Sequence, residues 1–91
     1  MTMHQITVYT RRFCSFCTAA KSLLQSKGYD YSEVNLDEDF DLAMEIMRKS
    51  GQRTVPQIFV GEESIGGFQE LRASMTDGTF EDLFDTDEST Q

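Results

Sequence analysis

The only two cysteines of this chain, Cys14 and Cys17, stand three residues apart between a strand-like and a helix-like segment. An apolar, β-rich run at residues 6–9 precedes them, and a pattern with helical spacing follows. A helix N-terminus stabilises a thiolate through its unpaired N–H groups and the positive end of the helix dipole. This position predicts a reactive Cys14, with Cys17 one turn deeper and close enough to form a disulfide with it.

Two other interpretations of the cysteine pair stay open at this point. Free cysteines are often small, inert, buried hydrophobic residues, and a CxxC motif can be half of a zinc site. A structural zinc site needs four ligands, and the chain has no second cysteine pair and only one histidine, His4. This disfavours the zinc interpretation. The first ten residues lack the basic and apolar regions of a secretory signal, which argues against a secreted protein stapled by a disulfide.

Length and charge limit the classes of protein that the chain can belong to. Its 91 residues predict one small domain, and 16 acidic against 8 basic residues disfavour a nucleic-acid-binding protein, which needs a positive face. No apolar run is long enough to cross a membrane. We therefore expect a monomer that binds neither nucleic acid nor membrane. We expect it in the cytoplasm, because a reducing compartment keeps a CxxC pair in thiol exchange.

Apolar spacing predicts that the cysteines lie within a βαβ unit. A first strand covers residues 5–10, a helix runs from about residue 15 to residue 27, and a second strand covers residues 31–36. Two strands joined by a helix should be parallel, with a right-handed crossover. The inward side chains are expected to be Ile6, Val8, Phe16, Ala20, Leu23, Leu24, Val34 and Leu36. For Phe16 an exposed ring over the active sulfur is an equally good interpretation.

Two arginines, Arg11 and Arg12, directly precede the cysteine segment in an otherwise acidic protein. Neighbouring arginines on a protein surface are commonly no more than solvated charges. Their position just before Cys14 favours a second interpretation, in which they stabilise the thiolate or bind a carboxylate.

The second half of the chain predicts a helix, a hairpin and a third helix. An acidic cluster at residues 37–39 opens the second helix, and Gly51 ends it. A buried strand at 58–60 follows Pro56, and a turn leads to a short strand at 64–65. Sequence alone favours a trans bond before that proline, since about one X–Pro bond in twenty is cis. The inward side chains are expected to be Leu42, Ala43, Ile46, Met47, Phe68, Leu71 and Met75.

Paired glycines, Gly66 and Gly67, stand at the start of the third helix. They leave backbone N–H groups open to an anion, although a plain tight turn explains them equally well. After that helix, Phe80, Leu83 and Phe84 can dock a last helical turn. We expect the domain to span residues 1–84 and residues 85–91 to form an acidic, frayed tail.

In this order and at this spacing, these elements resemble a dithiol glutaredoxin over nearly the whole chain. The likeness is carried by residues 9–17 around the CxxC motif, residues 53–59 with Thr-Val-Pro, and residues 65–71 with Gly-Gly. The resemblance implies an α/β, thioredoxin-like fold: a four-stranded mixed sheet flanked by helices, with a cis Pro56 beside the cysteines.

The resemblance also implies a glutathione-dependent thiol–disulfide oxidoreductase. Cys14 would be the nucleophile and Cys17 the resolving thiol, acting on protein disulfides and glutathione mixed disulfides, with ribonucleotide reductase among the implied partners. Glutathione would lie in a groove against the Val55 backbone. The implied glutathione-binding residues are Arg11, Phe16, Gln52, Arg53, Thr54, Val55, Pro56, Gly67, Phe68 and Gln69.

The chain departs from the common pattern of that family between its cysteines. Many dithiol glutaredoxins carry Pro and Tyr there, whereas this chain has Ser15 and Phe16. Some glutaredoxins with Ser after the first cysteine hold a [2Fe–2S] cluster between two subunits. In such a dimer each subunit would give Cys14 and one bound glutathione, which makes the four thiolate ligands that the cluster needs. A cluster-binding dimer is therefore the alternative function.

Overall fold

Strands and helices alternate along the chain in the computed structural model, which describes residues 5–81. In chain order they are β1 (Ile6–Thr10), α1 (Ser15–Ser26), β2 (Ser32–Asn35), α2 (Phe40–Ser50), β3 (Gln57–Val60), β4 (Glu63–Gly66) and α3 (Phe68–Asp77). The strands form one sheet in the order β2-β1-β3-β4, with β1 parallel to β2 and β3 antiparallel to both β1 and β4. The predicted four-stranded mixed sheet and its parallel pair are confirmed, with strand bounds that differ by at most one residue.

The main core lies where β1 and β3 meet α1 and α3. Burying a large apolar side chain is worth about 1.5–3 kcal/mol relative to leaving it exposed, so this cluster fixes the junction of β1 and α1 on which the cysteines stand. Its buried members are Ile6, Val8, Ala20, Leu24, Ile58, Val60, Leu71 and Phe80. The inward side chains of α2, Ala43 and Ile46, are buried outside this cluster, and α2 contacts β4.

Of the two positions that the sequence left open for Phe16, inward or exposed, the structure has the exposed one. Its side chain is 55% exposed, and its ring lies 5.9 Å from the ring of Phe68. The buried stripe of α1 consists of Cys17, Ala20 and Leu24, at spacings of three, four and seven residues. Phe16 lies at the edge of that stripe, in the first turn of the helix, where no further turn covers it.

Of the acidic cluster at residues 37–39, which was expected to open α2, only Asp39 caps that helix. Its side chain accepts a hydrogen bond from the Leu42 N–H (3.0 Å). Asp37 lies one turn earlier, in a short 3-10 helix over Leu36–Glu38, and accepts from the backbone N–H and Nε of Arg12 (2.8 and 3.3 Å). This contact joins the segment before the cysteines to the 3-10 helix that follows β2.

Phe80 extends the core beyond α3. It is fully buried, and its ring stands nearly perpendicular to that of Tyr29 at 5.1 Å. The other two residues of the predicted last turn, Leu83 and Phe84, and the predicted tail at 85–91 lie outside the described residues. Over residues 5–81, no helix is long and apolar enough to cross a bilayer.

Candidate active site

Cys14 lies half-buried at the N-cap of α1, directly after the loop that follows β1. Its sulfur accepts a hydrogen bond from the Cys17 backbone N–H (3.3 Å). The thiol donates a hydrogen bond to the Val55 carbonyl oxygen, at an Sγ···O distance of 3.7 Å. A negative charge on this sulfur would therefore be held by an N–H group of the first turn and by the positive end of the helix.

Cys17 lies in a different environment, with only 2% of its surface exposed. Burial, followed by a hydrogen bond with the Cys14 side chain, raises the pKa of Cys17 from 9.0 to about 12. A hydrogen bond from the Arg11 backbone and the positive charge of Lys21 act in the opposite direction. Cys17 therefore stays protonated at neutral pH in the reduced protein, and Cys14 is the sulfur that solvent can reach.

The raised pKa of Cys17 predicts that the reduced protein loses stability in alkali. The unfolded chain ionises this thiol near pH 9.0 and the folded chain near pH 12. The contribution to the free energy of unfolding is thus complete below pH 9.0 and is lost as the pH rises toward 12. Under reducing conditions, the urea midpoint of the wild type should fall more steeply over this range than that of Cys17→Ala. Parallel curves for the two proteins would contradict the raised pKa.

A groove of about 290 Å³ lies beside the Val55–Pro56 peptide, which is cis as the resemblance implied. Seven of the ten predicted glutathione-binding residues line it, and Glu70 joins them. The lining residues are Phe16, Thr54, Val55, Pro56, Gly67, Phe68, Gln69 and Glu70. The carbonyl of Val55 reaches from this groove to the Cys14 sulfur, so a ligand in the groove would lie next to that sulfur.

The other three predicted binding residues line neighbouring cavities. Arg11 lines a cavity of about 390 Å³ together with both cysteines. Gln52 and Arg53 line a third cavity of about 660 Å³, against α2. The structure thus places the predicted cationic residues beside the groove and not within it. Arg12, the second predicted cation, is exposed and bonded to Asp37.

Gln57 fixes the loop that carries the groove, a role that the sequence alone did not indicate. This buried glutamine donates from Nε2 to the Thr54 carbonyl oxygen (2.7 Å) and to Gln52 Oε1 (3.0 Å). Buried side-chain amides that bond to backbone carbonyls restrict a loop strongly, because breaking them leaves polar groups unsatisfied. The only sign of this role in the sequence is a polar glutamine directly before the apolar run at 58–60.

The start of α3 is capped by the chain's own carboxylate. The Gly67 N–H donates to Glu70 Oε1 (2.8 Å), so this amide is already satisfied. An incoming anion therefore has the N–H groups of Phe68 and Gln69 to bind, since these belong to the unpaired donors of a helix start. The paired glycines shape this turn, and Glu70 takes the donor that the sequence analysis assigned to a ligand.

A family model for glutaredoxin matches residues 6–65 of the chain. A glutaredoxin of Pseudomonas aeruginosa is 44% identical over 71 residues, which cover 78% of this chain and 84% of the relative. Glutaredoxin 3 of Escherichia coli is 39% identical over 71 residues, which cover 78% and 86%. The chain belongs to the glutaredoxin family. Cys14 and Cys17 form its CxxC motif, and this glutaredoxin is a thiol oxidoreductase.

Solved glutaredoxin structures share its fold. The solution structure of a Brucella melitensis glutaredoxin has a TM-score of 0.79 at 34% identity, over 92% of this chain and 91% of the other. A crystal structure of a buckwheat glutaredoxin–glutathione complex has a TM-score of 0.79 at 27% identity, over 89% and 76%. The thioredoxin-like fold that the motifs implied is therefore confirmed.

Proposed function

We propose that this glutaredoxin reduces glutathione mixed disulfides and protein disulfides with electrons from glutathione. The observation that carries the proposal is the position of Cys14, half-buried and in contact with the Val55 carbonyl at the edge of the 290 Å³ groove. The related buckwheat protein was solved with glutathione, which supports the same tripeptide as the ligand here. A coupled assay with a glutathionylated peptide, glutathione and glutathione reductase tests the reaction directly.

The reduction of a glutathione mixed disulfide needs only Cys14. Its thiolate attacks the glutathione sulfur of the substrate, the substrate disulfide breaks, and the departing thiolate takes a proton from water. Cys14 is left in a disulfide with glutathione. The thiolate of a second glutathione then attacks the glutathione sulfur of this adduct, which releases the Cys14 thiolate and forms glutathione disulfide.

The reduction of a protein disulfide uses both cysteines. Cys14 forms a mixed disulfide with the substrate, and Cys17 then gives its proton to water and attacks the Cys14 sulfur. The Cys14–Cys17 disulfide forms, the substrate leaves as a dithiol, and two glutathiones later reduce the enzyme. Burial of Cys17 prevents it from competing for substrate, so the order of attack follows from exposure.

Binding of glutathione calls for local donors, because the chain carries a net charge of −8. An ionised Cys14 no longer donates to the Val55 carbonyl, which leaves that oxygen free to accept from a ligand N–H group. Arg11 beside Cys14, Arg53 beside the groove and the first turn of α3 can receive the two carboxylates.

Arg11→Ala is expected to raise KM for a glutathionylated peptide about three- to tenfold, with kcat changed less than about twofold. The reason is the loss of a charged contact made equally in the ground and transition states. Steady-state kinetics at fixed glutathione measures it. Arg12→Ala is the matched control, because that arginine is exposed and bonded to Asp37. Equal KM values for the wild type and Arg11→Ala would remove Arg11 from the binding site.

The [2Fe–2S] alternative stays a prediction. Residues 5–81 contain no group of three or more His, Cys, Asp or Glu side chains that could hold a metal ion. A shared cluster would therefore depend on Cys14 of each subunit and two glutathiones, and the partial exposure of Cys14 fits such a contact. Brown, iron-containing dimers after anaerobic purification with glutathione would support this alternative, and colourless monomers would oppose it.

Partners and location also stay predictions. We propose glutathionylated proteins and proteins with exposed disulfides, ribonucleotide reductase among them, as substrates in the cytoplasm, with the enzyme acting as a monomer.

A further inference from the structure

We propose that Lys21 and Glu33 form a positioning pair that assists the resolving attack by Cys17 and leaves the first attack by Cys14 unchanged. This inference rests on the proposed function, because that function assigns the two cysteines their separate steps. It concerns the cavity of about 390 Å³ that both cysteines line and Val55 does not.

Lys21 is held in place by two hydrogen bonds. Its Nζ lies 3.1 Å from each carboxylate oxygen of Glu33, and the two side chains are 27% and 39% exposed. A lysine ammonium on a flexible stem ordinarily samples many positions. Two-point contact from α1 to β2 restricts it to one region of the cavity.

Glu33 is held in turn by a buried residue at the end of β1. Thr10 Oγ1 donates to Glu33 Oε2 (2.9 Å), and Thr10 itself is buried. Burial acts to raise the pKa of Glu33, but the bonds from Lys21 and Thr10 outweigh it, and the pKa of this carboxyl is lowered. Glu33 therefore stays ionised near neutral pH and is a holder of Lys21, not a proton acceptor.

The pair and the resolving thiol line one cavity, the 390 Å³ space that also contains Thr10, Arg11 and Cys14. Its charged residues are Arg11, Lys21 and Glu33. Cys17 is nearly closed to solvent, so its thiolate depends on fixed charges and dipoles for stabilisation. The Arg11 backbone and the ammonium of Lys21 are the two groups that favour the ionised sulfur.

Helix geometry explains why the pair acts on one cysteine more than on the other. Lys21 follows Cys17 by four residues, one turn along the same face, and follows Cys14 by seven. At about 1.5 Å per residue these separations are about 6 and 10 Å along the axis. Because an electrostatic interaction weakens with distance and is screened by salt, the charge of Lys21 acts more strongly on Cys17 than on Cys14.

The chemical step is the second one of disulfide reduction. The Cys17 thiol loses its proton to water, its thiolate attacks Cys14 Sγ in the mixed disulfide, and the substrate thiolate leaves and is protonated by water. Cys14–Cys17 is oxidised by two electrons and the substrate is reduced. Lys21 stabilises the negative charge on Cys17 before and during this attack, and takes no part in proton transfer.

Dipyridyl disulfide separates the two attacks in the full-length reduced protein. One equivalent of reagent gives a first release of coloured pyridinethione when Cys14 attacks, and a second release when Cys17 resolves the adduct. Both phases can be followed by stopped-flow absorbance. A lower fraction of thiolate slows an attack tenfold per pKa unit, partly offset by greater nucleophilicity. We expect Lys21→Met to slow the second phase about three- to tenfold and to leave the first within about twofold.

Matched variants distinguish positioning from folding. Lys49→Met removes the same charge from an equally short Lys–Glu pair on α2 (3.1 Å) and should alter neither phase. Lys21→Arg should restore most of the second phase. Glu33→Gln should also slow it, although it removes a negative charge from the cavity, because it frees Lys21. Faster or unchanged resolution in Glu33→Gln would overturn the positioning role.

A shift in pH dependence gives a readout that a loss of stability would not produce. The second phase should speed up with rising pH in the wild type, and this rise should occur at higher pH in Lys21→Met. An unchanged profile, or equal slowing of both phases, would overturn the inference alone. A wild-type protein that lacks a second phase, with Cys17 still reduced, would instead remove the resolving role of Cys17 from the proposed function.

Discussion

Cys14→Ser is expected to abolish both the reduction of glutathionylated peptides and the reduction of protein disulfides. A hydroxyl at this position remains protonated near neutral pH, so kcat/KM should fall by at least about a thousandfold. The N-cap position tolerates serine well, so the variant should fold. Steady-state assays on both substrates measure the loss.

Cys17→Ser is the matched partner of this variant. It should keep reduction of the glutathionylated peptide within about threefold of the wild type, because that reaction needs only the exposed sulfur. Reduction of a protein disulfide should fall by about a hundredfold or more, since the mixed disulfide has no internal attacker. Similar losses for both variants on the glutathionylated peptide would contradict the separate roles of the two cysteines.

Gly66→Ala is expected to lower the free energy of unfolding by about 2–4 kcal/mol. Gly66 has a φ of +114°, and a Cβ there would lie 2.9 Å from Cβ and Cγ of Glu70. The backbone conformation costs an alanine about 1–3 kcal/mol, and displacing Glu70 from the Gly67 N–H adds the loss of a helix cap, about 0.5–2 kcal/mol. Urea unfolding measures the change.

Gly28→Ala separates the two costs. Gly28 has a φ of +82°, and a Cβ there would meet nothing within 4 Å. This substitution should cost about 1–2 kcal/mol, the backbone term alone. Gly66→Ala should also raise KM for the glutathionylated peptide, because Gly67 and Glu70 line the groove. A loss of stability in Gly66→Ala no larger than that in Gly28→Ala would contradict the added cost of displacing Glu70.

Local patterns in the sequence predicted the elements well because each depends on residues close in the chain. Alternation at Ile6 and Val8 marked β1, helical spacing at Ala20 and Leu24 marked α1, and all of these side chains are buried. The cis Pro56 was different. Sequence alone favoured trans, and only the likeness to glutaredoxins implied the cis bond that the structure contains.

The contacts that local patterns missed join residues far apart in the chain. Lys21 and Glu33 are 12 residues apart, Thr10 and Glu33 are 23 apart, and Arg12 and Asp37 are 25 apart. Spacing cannot show which charges meet across a sheet. The same limit explains why Arg12 was expected at the active site, although its partner is a carboxylate after β2.

Local patterns also left side-chain positions at the ends of elements open. Phe16 has the spacing of an inward residue, but it lies in the first turn of α1, beside the groove. Glu70 lines the groove with the predicted residues, and local spacing did not show that its carboxylate caps the Gly67 N–H. At such positions the backbone direction decides the outcome, and periodicity contains no information on it.

Limited alkylation of the reduced wild-type protein compares the reactivities of Cys14 and Cys17. A substoichiometric amount of iodoacetamide is added near neutral pH, and fragment-ion sequencing of the peptide that contains both cysteines locates the label. We expect Cys14 to be modified at least about tenfold faster than Cys17, because Cys17 is buried and protonated. Equal labelling, or labelling of Cys17 first, would contradict a division of the CxxC motif into an exposed nucleophile and a buried resolving thiol.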